Sequence, residues 1–234
     1  MKSLRGSPRR TLPPEAVKAL EFSRLQKQAN RFHVRLGERE EALLQGYLYE
    51  LLRWNQKINL ISVTSLEELL VQHVVDSLVP VQFLEGAKVV VDVGSGAGFP
   101  AIPIKIARPS LKIYLLEARR KRASFLQYVV ALLELEGVEA VWGRLEAGSG
   151  TPGGIQGPAD CILTRASGAE EAILKVSDSV LKPGGRIVLM KGSVERLQRT
   201  RWEKWSKEKG RRITSVYSYR LPGVSAERTL IVFD

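Results

Sequence analysis

Cysteine, histidine and methionine are nearly missing from this 234-residue chain, which has one Cys, two His and two Met. A single cysteine excludes an intramolecular disulfide and suits a reducing compartment. Cys161 sits in the apolar run Cys161-Ile162-Leu163 and reads as a buried strand residue, not a nucleophile. With only His33 and His73 present, histidine acid/base chemistry has little to draw on. No apolar run approaches a membrane span, and the basic start MKSLRGSPRR lacks the apolar core of a signal peptide. A cytoplasmic protein without membrane contact is expected. Acidic residues are also the scarcer sign: 25 against 36 Lys and Arg give a net charge of +11. With a pI near 9.9, that surplus points to a polyanionic partner, a heat-adapted excess of surface charge being the alternative.

Three regions follow from pattern. Residues 1–12 read as a flexible basic arm that is either simply solvated or touches the polyanion, with Arg9 and Arg10 as the candidate contacts. Residues 13–85 carry apolar side chains at helical spacing, with helices predicted over 14–30, 38–55 and 66–83. Ser65 and Glu68 form a capping-box pattern before the last of these. From residue 86 to 234 short β-branched runs alternate with amphipathic segments. Strands are predicted at 88–93, 111–117, 138–143, 159–165 and 185–191, with 211–220 and 228–233 closing the edge as an antiparallel pair. Lys182-Pro183-Gly184-Gly185 reads as a helix stop and turn, and 148–158 as a Gly/Pro-rich surface loop. All regions are expected to pack as one globular unit.

The richest stretch is VVVDVGSGAGFP, residues 89–100, where a buried strand meets a glycine turn. Glycines at positive φ let main-chain N–H groups approach a ligand closely, and the next helix start adds unpaired donors. A dinucleotide fingerprint would put its third glycine at position 99, where Phe stands, which argues against a nicotinamide oxidoreductase. The spacing is instead Asp92, Gly94, Gly96, Gly98, a form usual in S-adenosylmethionine (SAM) dependent methyltransferases. Glu117 ends the second strand, where a carboxylate can accept ribose hydroxyl hydrogens, with a helix-capping role as the alternative. Gly143-Arg144-Leu145-Glu146 follows the third strand and offers an N–H and a carboxylate to a base edge. Arg165 ends the fourth on the ligand-binding rim, suited to a phosphate or base, or to an ion pair with Glu117 or Glu146.

DVGSGAGFPAIPIKIARP, RWNQKINLISV, HVVDSL, TRA, LKPGGRIVLMKG and LPGVSAERTLIVFD together closely resemble the bacterial 16S ribosomal RNA guanine-N7 methyltransferases, also called glucose-inhibited division protein B. The resemblance runs from about Glu38 to Asp234. It implies a class I SAM-dependent methyltransferase fold: a Rossmann-like α/β architecture with a seven-stranded, mostly parallel sheet and an N-terminal helical region. It implies SAM as cofactor, S-adenosylhomocysteine as product, and N7 of guanine 527 in the decoding-region loop as target. By the same resemblance Gly94, Phe99, Glu117, Ala118, Arg119, Leu145, Glu146 and Arg165 match SAM-contacting positions, and Lys191 one that faces RNA or substrate. Arg165 is also the candidate for orienting the substrate base. The chain departs from the family at Leu145 and in the basic cluster of residues 119–122.

Guanine N7 carries an in-plane lone pair, so its methylation needs alignment and desolvation, and no general base is expected. His73, beside Asp76 in HVVDSL, reads as a packing residue or a substrate contact. Residues 196–212, with Arg196, Arg199 and Arg201, supply a cationic surface for RNA. Trp202 and Trp205, three apart within it, fit a core-facing stripe better than a stacking site. The implied partner is 16S rRNA, an assembly intermediate or the small ribosomal subunit, met by a monomer. No metal site is expected.

Overall fold

The computed structural model describes residues 12–145, 155, 157–166, 168, 170–192, 202–204, 206–207 and 210–234. The basic arm with Arg9 and Arg10, together with Glu146, Arg196, Arg199, Arg201, Trp205 and most of the 148–158 loop, lies outside the described residues.

Apolar spacing becomes helix where it was predicted, with breaks set by local chemistry. The 14–30 stretch splits into a 3-10 turn at Pro14–Ala19 and α1 at Phe22–Asn30. Helix α2 spans Glu38–Asn55 and opens with the Glu40 carboxylate accepting from Gly37 N at 2.8 Å. The 66–83 run changes pitch along its length: α3 (Leu66–Glu68), a π stretch (Leu69–Val75), α4 (Asp76–Leu78) and a 3-10 turn (Val79–Phe83). Its capping box forms by half. Ser65 Oγ accepts from Glu68 N at 3.1 Å, but the Glu68 carboxylate turns to the N–H and hydroxyl of Thr64.

Strands β1 (Val89–Val93), β2 (Lys112–Glu117), β3 (Val138–Trp142), β4 (Ala159–Thr164) and β5 (Leu181–Lys191) pair in parallel. An antiparallel hairpin of β6 (Ile213–Arg220) and β7 (Glu227–Phe233) closes the sheet, giving the order β3-β2-β1-β4-β5-β7-β6. Helices α5 (Ala101–Ala107), α6 (Arg120–Leu132) and α7 (Glu170–Val180) lie along it. One boundary differs from the sequence reading. Residues 182–185 are not a turn ahead of β5 but a bulge within it, because Leu181 pairs with Ala159 and pairing resumes at Arg186 with Cys161.

Side chains alternate across the strands with period two. Val90, Ile113, Leu115, Cys161, Leu163 and Val188 join the N-terminal helices, α5 and α6 in one core. Val91, Tyr114, Leu116, Ile162, Ile187 and Leu189 face α7 and Trp202 in the other. The helical region therefore shares a core with the sheet. Cys161 is fully buried, and burial pushes its thiol up to about 12. The order of strands reverses between β1 and β4, and an open α/β sheet forms its ligand crevice at that switch, beyond the strands' carboxyl ends.

Candidate active site

The glycine turn leaves β1 at this crevice. Gly94 N and Ser95 N both donate to Leu116 O, at 2.8 and 3.1 Å, tying the turn to the end of β2. Gly98 N donates to Ser95 O at 2.7 Å, and the Tyr47 hydroxyl, reaching in from α2, donates to Ala97 O at 2.7 Å. Two of the glycines are required by space. A Cβ on Gly94 would stand 2.7 Å from Ala166 Cβ, and one on Gly98 would stand 2.4 Å from Ile102 Cδ1. Gly96 is different: at φ +59° it is strained for other residues, yet nothing lies within 3.8 Å of its missing Cβ.

Glu117 locks the turn from the neighbouring strand. One carboxylate oxygen accepts from Gly96 N at 2.8 Å and the other from Arg119 N at 2.7 Å, while Gly143 N donates to its carbonyl at 3.1 Å. A buried carboxylate splinted by two N–H groups keeps lone pairs for further donors. Thr164 Oγ1 bridges β4 to the turn by donating to Val93 O at 2.7 Å.

These elements enclose a cleft of about 540 Å³, within the range that holds small-molecule ligands. Val93, Gly94, Leu116, Glu117, Ala118, Arg119 and Leu145 line it, with Ala166, Gly168 and Ala172 opposite. Arg122, Gly143 and Arg144 complete the wall. Of the residues anticipated, Gly94, Glu117, Ala118, Arg119 and Leu145 meet at this cleft. Phe99, Asp92 and Arg165 do not line it. Phe99 is buried beneath the turn with its ring 5.4 Å from that of Tyr47 and 5.0 Å from that of His73. Asp92 is sealed under the turn: both its carboxyl oxygens are buried and unpartnered, and burial pushes the group up to about 8.

Arg165 does not pair with Glu117. It stands 3.5 Å from Asp76 and donates to Gln72 O at 2.8 Å. Asp76 also accepts from Arg228 at 2.9 Å and from the Tyr219 hydroxyl at 2.7 Å. This buried knot joins α4, the β4 rim and the β6–β7 hairpin, residues up to 152 apart in sequence. No local spacing marks it, so sequence reading passes over Tyr219 and Arg228. His73 lies beside it, and burial, with Arg165 and Arg228 adding, drives its imidazole down to about 3. The ring is neutral across the physiological range.

Lys191 is paired with Glu170 and largely covered, so that cation is already engaged. Trp202 is buried, its ring 6.3 Å from that of Phe233, on the core side as its spacing suggested. Arg211 is drawn into the fold by Ser177, Gly185 O and Asp178. No described helix is long and apolar enough to cross a membrane.

Comparison with known proteins adds a second line. The family profile of rRNA small subunit methyltransferase G matches residues 40–221. A ribosomal RNA small subunit methyltransferase G of Myxococcus xanthus is 35% identical over 190 residues, covering 81% of this chain and 86% of that protein. The same enzyme of Syntrophotalea carbinolica is 34% identical over 210 residues, covering 90% and 96%. Among solved structures, a SAM-dependent methyltransferase from Aquifex aeolicus superposes with a TM-score of 0.51 at 19% identity, over 72% of this chain and 93% of the other. A precorrin-6Y C5,15-methyltransferase from Geobacter metallireducens gives 0.52 at 19%, over 68% and 86%. These last two likenesses are of fold.

Proposed function

Because this chain belongs to the rRNA small subunit methyltransferase G family and has the class I methyltransferase fold, we propose that it methylates N7 of one guanine in the decoding-region loop of 16S rRNA. The methyl donor is SAM, whose sulfonium supplies an activated methyl group. The observation that carries the reading is the Glu117 splint: a carboxylate fixed by Gly96 N and Arg119 N at the mouth of a glycine-floored cleft.

The residues fit that cofactor. Glu117 is placed to accept ribose hydroxyls with its remaining lone pairs, while Ala118 and Leu145 offer apolar walls to an adenine. Gly94 keeps the floor open where any side chain would meet Ala166. Asp92, buried without a partner beneath the glycine turn, is a carboxyl group whose charged form a cationic ligand above the turn would favour. For the reaction itself the chain supplies position and dryness. N7 holds its lone pair in the ring plane and loses no proton before attack, so direct SN2 displacement needs no general base. His73, with its ring driven to about 3, does not serve as an acid at neutral pH. Arg165, held by Asp76 at the β4 rim, is the group proposed to orient the base, and Glu146 to complete the cofactor site.

Purified protein, tritiated methyl-SAM and 16S rRNA from cells lacking the modification test this, with borohydride and aniline cleavage at 7-methylguanine. One strong cleavage in the decoding-region loop is the expected result. Label without cleavage would overturn the N7 assignment, and absence of label on free rRNA and on subunits alike would overturn the enzyme reading.

A further inference from the structure

Trp142, the last residue of β3, is 59% exposed, more than any other large hydrophobic side chain among the described residues. The ring is nevertheless held in place. Its Nε1 donates to Ala118 O at 3.1 Å, and the Arg120 guanidinium stands 5.5 Å from the ring centroid. Fixing a solvent-facing indole at both edge and face keeps a flat apolar surface ready at low entropic cost.

Arg120 continues into the run Arg119-Arg120-Lys121 at the start of α6, and Arg144 follows two residues after Trp142; all four are exposed, and among the described residues none of them forms an ion pair. A fixed aromatic face within a patch of uncompensated cations matches single-stranded nucleic acid, where a base stacks and its phosphates meet the cations. An acidic peptide would use the charges but not the ring. Ala118, Arg119 and Arg144 also line the cleft, so Trp142 stands at the β3 side of the proposed cofactor site, on the same carboxyl-end rim of the sheet as Arg165 but three strands away.

We infer that Trp142, oriented by Arg120 and Ala118 O, is a stacking platform for an unpaired base of the substrate RNA other than the modified guanine. The inference rests on the RNA substrate proposed above. Its test measures binding of full-length protein to a fluorescent decoding-region RNA loop and to small subunits, with SAM affinity followed by calorimetry. Trp142→Ala should weaken binding to the RNA about tenfold, whereas Trp142→Phe, which keeps a ring but loses the Nε1 bond, should stay within about threefold. Leu132→Ala, at the far end of α6 and 50% exposed, should change nothing. SAM affinity should be unaffected in all three. The platform is overturned if Trp142→Ala binds RNA as the unaltered protein does, or if Trp142→Phe loses as much as Trp142→Ala. A parallel loss of SAM affinity would also overturn it, by making Trp142 a support for the cleft. So would a loss seen only on protein-containing subunits, which would mean a protein contact. If the unaltered protein neither binds nor methylates rRNA, the reading of function falls instead.

Discussion

Asp92 is a residue whose chemistry in the fold differs sharply from its behaviour in water. Burial raises its carboxyl from 3.8 to about 8, so in the ligand-free protein at pH 7 it is mostly protonated. The sign for stability follows: the stabilisation present below pH about 4 is lost as pH rises through about 8. A cationic ligand shifts the balance the other way, toward the carboxylate. SAM should therefore bind more tightly as pH rises from 6 to 9, with release of a proton near pH 7. Calorimetry in two buffers of different ionisation enthalpy measures that proton directly. Asp92→Asn should abolish both the pH dependence and the release. The position of Asp92 at a strand end before a glycine turn could be read from the sequence, but its lack of a partner could not.

Among the elements, the three bound together by Asp76 depend on one carboxylate. Arg165 follows β4, Arg228 lies on β7 and Tyr219 on β6, and all three converge on α4. Removing a buried anion leaves two guanidinium groups without their counter-charge, which costs about 3–5 kcal/mol. Asp76→Ala should lower stability by that amount in urea melts, and Asp76→Asn should fall between the two. Because Asp76 also holds Arg165, the group proposed to orient the base, methyl transfer should fall more in Asp76→Asn than SAM affinity does. Comparison of turnover with calorimetric affinity checks this. The helices, the parallel strands and the closing hairpin were each legible from period and capping. Their meeting at Asp76 was not, because it joins segments far apart in the chain. The β5 bulge was missed for a related reason: Pro183 and the two glycines after it look like a turn until Leu181 is seen paired to Ala159.

For the whole molecule, net charge sets behaviour toward RNA. With +11 on the chain, affinity for rRNA should be steeply salt-dependent. A footprint neutralising about six phosphates loses roughly 10³-fold in affinity between about 50 and 200 mM salt. SAM affinity, set inside the cleft, should move less than about threefold over the same range, as fluorescence and calorimetric titrations would register. The charge, the alternation of strand and helix, and the glycine turn are properties of local order, and the sequence by itself determined them: period and side-chain size act on neighbours along the chain. Which charges are available for RNA was decided only by the tertiary structure. Lys191 and Arg211 look as free in the sequence as Arg119 or Arg144, but packing turns the first pair onto Glu170 and Asp178 and leaves the second pair at the cleft. Likewise Phe99 and Arg165 were legible as special residues, while their neighbours Tyr47, Asp76 and Arg228 were not. Burial and ion pairing depend on distance in space, which sequence separation does not encode.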